Sequence, residues 1–269
     1  MSIVVVTIPG PAKQKFVADL QAATNGAVAL VVVQKRPIPL LVDRFETWNQ
    51  LSLWNKCQHI YYSARLRLQP KLQQQLAVFQ ASQAAPMDEL EWAAPTYYTY
   101  DVNNDTTYEK IKAVAPTILA VWGSTILSQR LVHLPQHALN LHFGISAVYR
   151  GAYANQRAVE AENWDAIGTT IHYMNGRADS GRVVSTMHLP WCETPQEAFS
   201  ALHDTTRDHY VDCINKLQQG QSLATTTPDL RASENLLLKD WNPKRRFKVA
   251  KKLLRWHKRQ QPPYTTNRT

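Results

Sequence analysis

At 269 residues the chain can hold one large domain, or one with an appendage, and 44% apolar against 19% charged residues lets it bury a proper core. No apolar run reaches the roughly 18–20 residues of a membrane span. Cys57, Cys192 and Cys213 are too few and too far apart for a disulfide framework or a zinc pattern, which fits a reducing, cytoplasmic setting. The formal charge of +9 is local. Nine Lys and Arg and no Asp or Glu lie between Lys244 and Arg259, and removing those nine from the 30 basic residues leaves 21, equal to the 21 acidic ones. A balanced body with a basic C-terminal appendage argues against a body that binds nucleic acid.

The opening Ser2-Ile3-Val4-Val5-Val6-Thr7-Ile8 reads as a buried first strand, with no basic leader before it. A helix from Ala12 to Asn25, closed by Gly26, and a Val-rich strand from Ala27 to Val33 follow, and this strand-helix-strand order predicts a parallel sheet. The turn Ile8-Pro9-Gly10-Pro11 has one glycine, not the three of a dinucleotide fingerprint, so a nicotinamide or flavin site is not supported. From Asp43 to Ala85 the Gln-rich chain places Leu66, Leu72, Leu76 and Phe79 at helical separations, with a short strand at His59 to Tyr62.

Further along, the pattern predicts a strand at Tyr97 to Asp101, a helix from Asp105 to Val114 capped at Asn104 or Asp105, and an apolar strand from Thr117 to Trp122. A strand at Ala138 to His142 precedes a long-looped hairpin from Ile167–Met174 and Arg182–Leu189. Glu193 to Leu217 reads as a helix starting near Thr194-Pro195, Gly220 to Asn235 reads as a linker, and Phe247, Ala250, Leu253 and Leu254 give the basic stretch a helical spacing. His133 and His137 are separated by Pro135, and His209 with Cys213 lacks a third ligand, so no metal site is expected.

The chemistry concentrates in Ala138-Leu139-Asn140-Leu141-His142-Phe143-Gly144. Side chains alternate along a strand, so Asn140 and His142 share one face while Leu139 and Leu141 take the other. An amide and an imidazole then stand side by side at a strand's end. Tyr149-Arg150-Gly151, Ile167-Gly168-Thr169-Thr170-Ile171-His172-Tyr173-Met174 and Asp179-Ser180-Gly181 come after it.

In order and spacing, from about Pro116 to Val184, these residues resemble the formyltransferase family that uses N10-formyltetrahydrofolate as one-carbon donor. The resemblance implies an α/β fold: a Rossmann-like, mostly parallel sheet with flanking helices over residues 1–190, followed by a small, mainly helical region over 191–269. It implies a catalytic set of Asn140, His142 and Asp179. Formyl transfer to an amine passes through a tetrahedral intermediate with a negative oxygen; a preorganised donor to such an oxygen is worth ~2.7–4 kcal/mol. On this reading Asn140 and a protonated His142 donate, Asp179 raises the imidazole pKa and can accept the amine proton, and no metal is needed.

The family resemblance also implies that Val121, Trp122, Gly123 and Ser124 bind the pterin of the folate mainly through backbone groups, with the loop from Asn175 to Asp179, including Gly176, as the other wall. Phe143, Gly144, Tyr149 and Arg150 form the loop toward the acceptor amine. Phe143 and Val148 stand where relatives often carry proline, which leaves the acceptor open. An amino sugar on a nucleotide is the leading acceptor, and methionyl-tRNA is the rival, although such enzymes usually carry a C-terminal β-barrel. Hydrolysis of the same donor is a further rival. The non-enzymatic alternative is a degenerate fold that binds RNA or a membrane surface. For Lys244–Arg259 three readings stand: an anionic membrane surface, RNA, or a helix covering the domain's own apolar surface with Phe247, Leu253 and Leu254. Oligomeric state is not legible.

Overall fold

A parallel sheet covered on both faces needs strands that are apolar on both sides. Three segments meet that demand: β1 (Ile3–Thr7), β2 (Val28–Gln34) and β4 (Ile118–Trp122), of which β1 and β4 are buried at every residue. The structure, a computed structural model, describes residues 1–35, 48–79 and 91–256. With β3 (Thr96–Thr99), β5 (His137–His142), β7 (Gly168–Tyr173) and β8 (Val183–His188) these strands form a seven-stranded sheet in the order β3-β2-β1-β4-β5-β7-β8. Every pairing from β3 to β5 is parallel; β5–β7 and β7–β8 are antiparallel. The mostly parallel α/β fold expected from the sequence is the one observed.

Helices cover both faces. On one, α1 (Pro11–Ala23) and α7 (Pro195–Gln218) pack Phe16, Leu20, Tyr210 and Ile214 against Ile3, Val5, Ile118, Ala120 and Leu139. On the other, Ile111 of α4 (Asp105–Val114) and Leu131 of the short α5 (Gln129–Val132) pack against Val4, Val6, Leu119 and Val121. Each such side chain contributes about 1.5–3 kcal/mol of burial, so this alternation fixes the strand register. Caps set the helix starts. Asn104 accepts the Thr107 N–H at the head of α4, and Thr194 with Glu197 forms a reciprocal capping box at α7, as the sequence signals require.

Tyr210 ties α7 to the sheet. Its hydroxyl takes the Val121 N–H at 3.0 Å and faces the carbonyls of Val121 and Leu139 at 3.2 and 3.0 Å, bridging β4 and β5 beside the Asn140 position. Phe16 stacks on its ring at 5.2 Å, and burial pushes the phenol pKa up. Thus α7, which an organisation split at 190 assigns to the C-terminal region, belongs to the core of the sheet.

Two expectations are corrected. His59 to Tyr62 is not a strand but the middle of α2 (Leu53–Arg67), whose first turn is capped by Ser52 accepting the Asn55 N–H. The β-branched and aromatic run Ile60-Tyr61-Tyr62 is overridden by a capped helix that buries Leu66. The rest of the Gln-rich segment gives α3 (Pro70–Leu76), while residues 43–47 and 80–85 lie outside the described residues. Nor is Gly220 to Asn235 a plain linker. Thr226 bridges to Val183 with two backbone hydrogen bonds of 2.8 Å, and β9 (Glu234–Leu236) pairs in parallel with β6 (Tyr149–Gly151). A three-residue strand is too short to display a period.

The basic stretch forms α8 (Pro243–Leu253), capped by Asn242. Phe247, Val249, Ala250, Leu253 and Trp256 enter one core with Leu66 of α2, Leu72 and Leu76 of α3, Ala158 and Val159 of α6 (Ala154–Ala161), and Phe199 of α7. Leu254, expected to join them, is 43% exposed. Of the reading for Lys244–Arg259, Lys258 and Arg259 lie outside the described residues.

Tyr210→Phe keeps the ring and removes the hydroxyl, which leaves the buried Val121 N–H without its partner. The expected loss is about 1–3 kcal/mol, read as a lower denaturant midpoint at unchanged m-value. A midpoint equal to wild type would mean the clamp contributes nothing.

Candidate active site

Strand β5 delivers the pair as its alternation requires. Leu139 and Leu141 enter the core under α1 and α7, and Asn140 and His142 occupy the opposite face. Because β7 runs antiparallel to β5, His172 lies directly across from Asn140 and Thr170 across from His142. Thr170 Oγ1 donates to Gly144 O at 2.8 Å and accepts the Ser146 N–H at 3.1 Å, which fastens the turn after His142.

Asp179 comes from the β7–β8 loop, in a left-handed conformation with φ 42°. Its carboxylate is the hub. Oδ1 accepts from Asn140 Nδ2 at 3.1 Å and lies 3.3 Å from His172 Nε2; Oδ2 accepts the Gly151 N–H at 2.9 Å and lies 3.2 Å from His142 Nδ1. All four contacts are made with the side chain 12% exposed. The three residues singled out in the sequence are therefore together, joined by His172 and Gly151.

Two glycines make this approach possible. Gly151 has φ 78°, and a Cβ there would collide with Leu236 O of β9. A Cβ on Gly144 would collide with the His142 ring and with Ala154.

His142 faces acceptors on both sides: Asp179 Oδ2 at Nδ1, and Tyr149 O at Nε2 at 3.2 Å. A neutral ring has one N–H and gives it to the carboxylate, so Nε2 holds a lone pair; only the imidazolium donates to both. Burial dominates and lowers the His142 pKa below the ordinary imidazole value, against the raising effect of Asp179 and the Tyr149 carbonyl, with His172 lowering it further. This corrects the expectation of a raised pKa: the carboxylate pulls upward, but removing the ring from water outweighs it.

Burial pushes the Asp179 carboxyl up, yet the His142 charge, the His172 hydrogen bond and the Gly151 N–H more than offset it and bring it to about 2. A neutral His142 weakens the first of those contributions. The ionised carboxylate is nonetheless the state that stands, because the Asn140 and Gly151 N–H groups donate to it whichever form His142 takes. A carboxylate so held is a poor proton acceptor, contrary to the role expected for it.

His172 is the member the sequence reading did not assign. It is 2% exposed; Nδ1 lies 2.9 Å from Tyr173 O, and Nε2 lies 3.2 Å from Asn140 Nδ2. Nε2 also lies 3.3 Å from Asp179 Oδ1, so it stands between the Asn140 amide and the carboxylate; as an N–H it donates to Asp179, and the Asn140 amide is then held through Asp179 Oδ1. The signal was present in His172 sharing the β7 face of Thr170, but its partner is visible only once β7 is known to pair with β5.

Among the residues expected at the pterin, Val121 and Trp122 are 2% exposed and already engaged. Val121 binds Tyr210 through its backbone, and Trp122 O accepts from Thr7 Oγ1 at 2.8 Å. Gly123, with φ 84°, and Ser124 are half-buried. Gly176 rests on Gln129 of α5, so the loop carrying Asp179 abuts the segment that follows Gly123 and Ser124.

Of the acceptor-side residues, Phe143 is turned inward, stacked on Trp122 at 5.8 Å and on His203 at 4.1 Å. Tyr149 offers its carbonyl to His142 and buries its ring. Arg150 donates through Nε to Ser233 Oγ at 3.1 Å, and Ser233 Oγ donates to Ser146 O at 2.7 Å, so this arginine fastens β6 to the segment entering β9. Among the described residues no His, Cys, Asp and Glu cluster could hold a metal ion; His209 and Cys213 do lie 3.7 Å apart.

Solved structures similar to this chain include a sugar N-formyltransferase from Shewanella sp, 14% identical, covering 94% of this chain and 88% of that one with a TM-score of 0.53. Another is the N-formyltransferase from Helicobacter canadensis in complex with folinic acid and dTDP-3-aminofucose, 12% identical, covering 96% and 81% with a TM-score of 0.54. A third is the phosphoribosylglycinamide formyltransferase from Coxiella burnetii, 14% identical, covering 88% and 99% with a TM-score of 0.51. At these identities the likeness is one of fold. The family model for formyl transferase matches residues 64–214, more than half of the chain and the span that carries Asn140, His142, His172 and Asp179; the chain belongs to the formyl transferase family.

Proposed function

We propose that the protein moves a formyl group from N10-formyltetrahydrofolate to the primary amine of a small acceptor, an amino sugar carried on a nucleotide, with Asn140, His142 and Asp179 at the reacting atoms. The observation that carries this reading is the convergence of Asn140 and His142 on the Asp179 carboxylate, Asn140 donating to Oδ1 and the His142 ring held at Nδ1 by Oδ2. The Helicobacter canadensis protein, crystallised with a folate and a nucleotide-linked amino sugar, supports the choice of both substrates.

Attack of the amine nitrogen on the formyl carbon forms a C–N bond and puts charge on the formyl oxygen. The Asn140 amide, held by its N–H to Asp179, directs its second N–H to that oxygen. The proton lost by the amine goes to the His142 imidazole, whose charge Asp179 balances. Protonation satisfies both ring neighbours at once, since the imidazolium donates to Asp179 and to the Tyr149 carbonyl. Breaking the bond between the formyl carbon and N10 then returns that proton to N10, giving the formamide and tetrahydrofolate. Proton transfer of this kind contributes roughly 10²–10⁴-fold.

Acceptor choice is tested by following tetrahydrofolate release with the purified protein and N10-formyltetrahydrofolate, offered nucleotide-linked amino sugars, amino acids or charged initiator tRNA. Acceleration by the amino sugars is expected. Acceleration by the tRNA alone would establish the rival acceptor, and release without any acceptor would establish hydrolysis.

His142→Asn is expected to lower kcat by at least about 100-fold with the donor KM changed only a few-fold, because proton transfer belongs to the transition state and not to ground-state binding. Turnover within threefold of wild type would remove His142 from the chemistry.

The rate should depend on a neutral His142, so kcat/KM rises with pH through a limb below the ordinary imidazole value, distinct from the higher limb at which the acceptor amine loses its proton. Asp179 raises that pKa, and Asp179→Asn should therefore shift the limb to still lower pH while lowering the plateau. A limb that stays in place or moves to higher pH in the variant would mean that the titrating group is not His142.

A further inference from the structure

Helix α2 carries its apolar side outward. Leu66 is its one buried residue, whereas Leu53 is 79% exposed, Trp54 70%, Ile60 59% and Tyr61 53%, and Leu68 at its C-cap is 78% exposed. At 100° per residue, Leu53, Trp54, Cys57, Ile60, Tyr61, Ala64 and Leu68 fall within one arc of about 120°, opposite Leu66. Lys56 and Arg67 border that arc on one side and Arg65 on the other.

The surroundings are basic throughout. Helices α2, α3 and α8 pack together and hold ten Lys and Arg (Lys56, Arg65, Arg67, Lys71, Lys244, Arg245, Arg246, Lys248, Lys251 and Lys252) with no Asp or Glu. Arg245, Lys248 and Lys252 turn to Glu160 and Glu162. Lys251 and Arg65 instead lean on the Phe247 ring at 5.7 and 5.6 Å, and Arg65 also lies 5.8 Å from the Tyr61 ring, so the charge of α8 joins the margin of the α2 stripe.

We propose that this face docks on an anionic lipid bilayer, with the α2 stripe set into the headgroup boundary and Lys56, Arg65, Arg67 and Lys251 at its margin over the lipid phosphates. A tryptophan, a tyrosine and aliphatic side chains in one stripe between basic borders are what an interfacial helix requires. No helix among the described residues is long and apolar enough to cross a membrane, so the contact is with the surface. A second copy fits less well, because pairing two such faces about a twofold axis sets basic borders against each other. RNA fits less well too: Leu53, Ile60 and Leu68 offer no ring for a base to stack on.

The test uses the full chain and sedimentation with phosphatidylcholine vesicles, with and without phosphatidylglycerol. Wild type should partition onto the anionic vesicles at low salt, release as salt rises, and ignore the neutral ones. Trp54→Ser with Ile60→Ser should weaken partition at least about tenfold, and Lys56→Glu with Arg67→Glu should abolish the preference for anionic lipid. Formylation should be unchanged in both, since these residues lie outside the site, and the thermal midpoint should be unchanged in the first, whose two residues are exposed. Equal binding to neutral vesicles, or anionic binding that both double variants retain, would overturn the proposal. So would the absence of vesicle binding combined with RNA retention or self-association that the Trp54 and Ile60 substitutions remove.

Discussion

The site depends on one buried carboxylate. Asp179 has to be anionic where water barely reaches, and that state persists because two N–H groups donate to it and two imidazoles flank it. Those groups arrive from different parts of the chain: Asn140 and His142 on β5, Gly151 on β6, His172 on β7. The switch from parallel to antiparallel pairing at β5 and β7 is what sets His172 across from Asn140. Removal of any of these donors would leave an ionised group short of partners, a cost of several kcal/mol in a medium of this kind.

The C-terminal region takes part in that arrangement. Gly151 can donate to Asp179 because β6 is held by β9, by the Arg150–Ser233 hydrogen bond and by the close approach of Leu236 O. Tyr210 of α7 braces β4 and β5 one residue from Asn140, and Phe143, next to His142, is clamped between Trp122 and His203. An aromatic at position 143 thus serves as packing at the end of β5, behind His142.

Much of this was legible in the chain because short-range physics determines it. The apolar runs of β1 and β4, the cap at Asn104, the helix start near Thr194-Pro195 and the alternation through Asn140 and His142 need no knowledge of the fold. His172, the Gly151 N–H and β9 were not legible, since each acquires its meaning from a partner at a distance in sequence. The direction of the His142 pKa shift failed for a related reason: a nearby Asp can be read from a motif, but the depth of burial that outweighs it cannot. The short strand expected at His59–Tyr62 failed because local β-propensity lost to a capped helix with an inward Leu66.

The basic stretch shows how burial reassigns a sequence signal. Helical spacing of Phe247, Ala250 and Leu253 among nine cations resembles an amphipathic helix waiting for a surface, yet those apolar side chains are spent inside the protein. What remains outward on α8 is charge, with Leu254 at its C-cap as its exposed large apolar side chain. The apolar area lies on α2, in a segment that reads as unremarkable padding because its exposed leucine, tryptophan, isoleucine and tyrosine are spread over sixteen residues from Leu53 to Leu68. Packing brings the two together, through Tyr62 and Arg65 against Phe247. An apolar stripe alone would adhere to many things, and a charge cluster alone would bind weakly and reversibly; combined on one face they select a partner that is both oily and anionic.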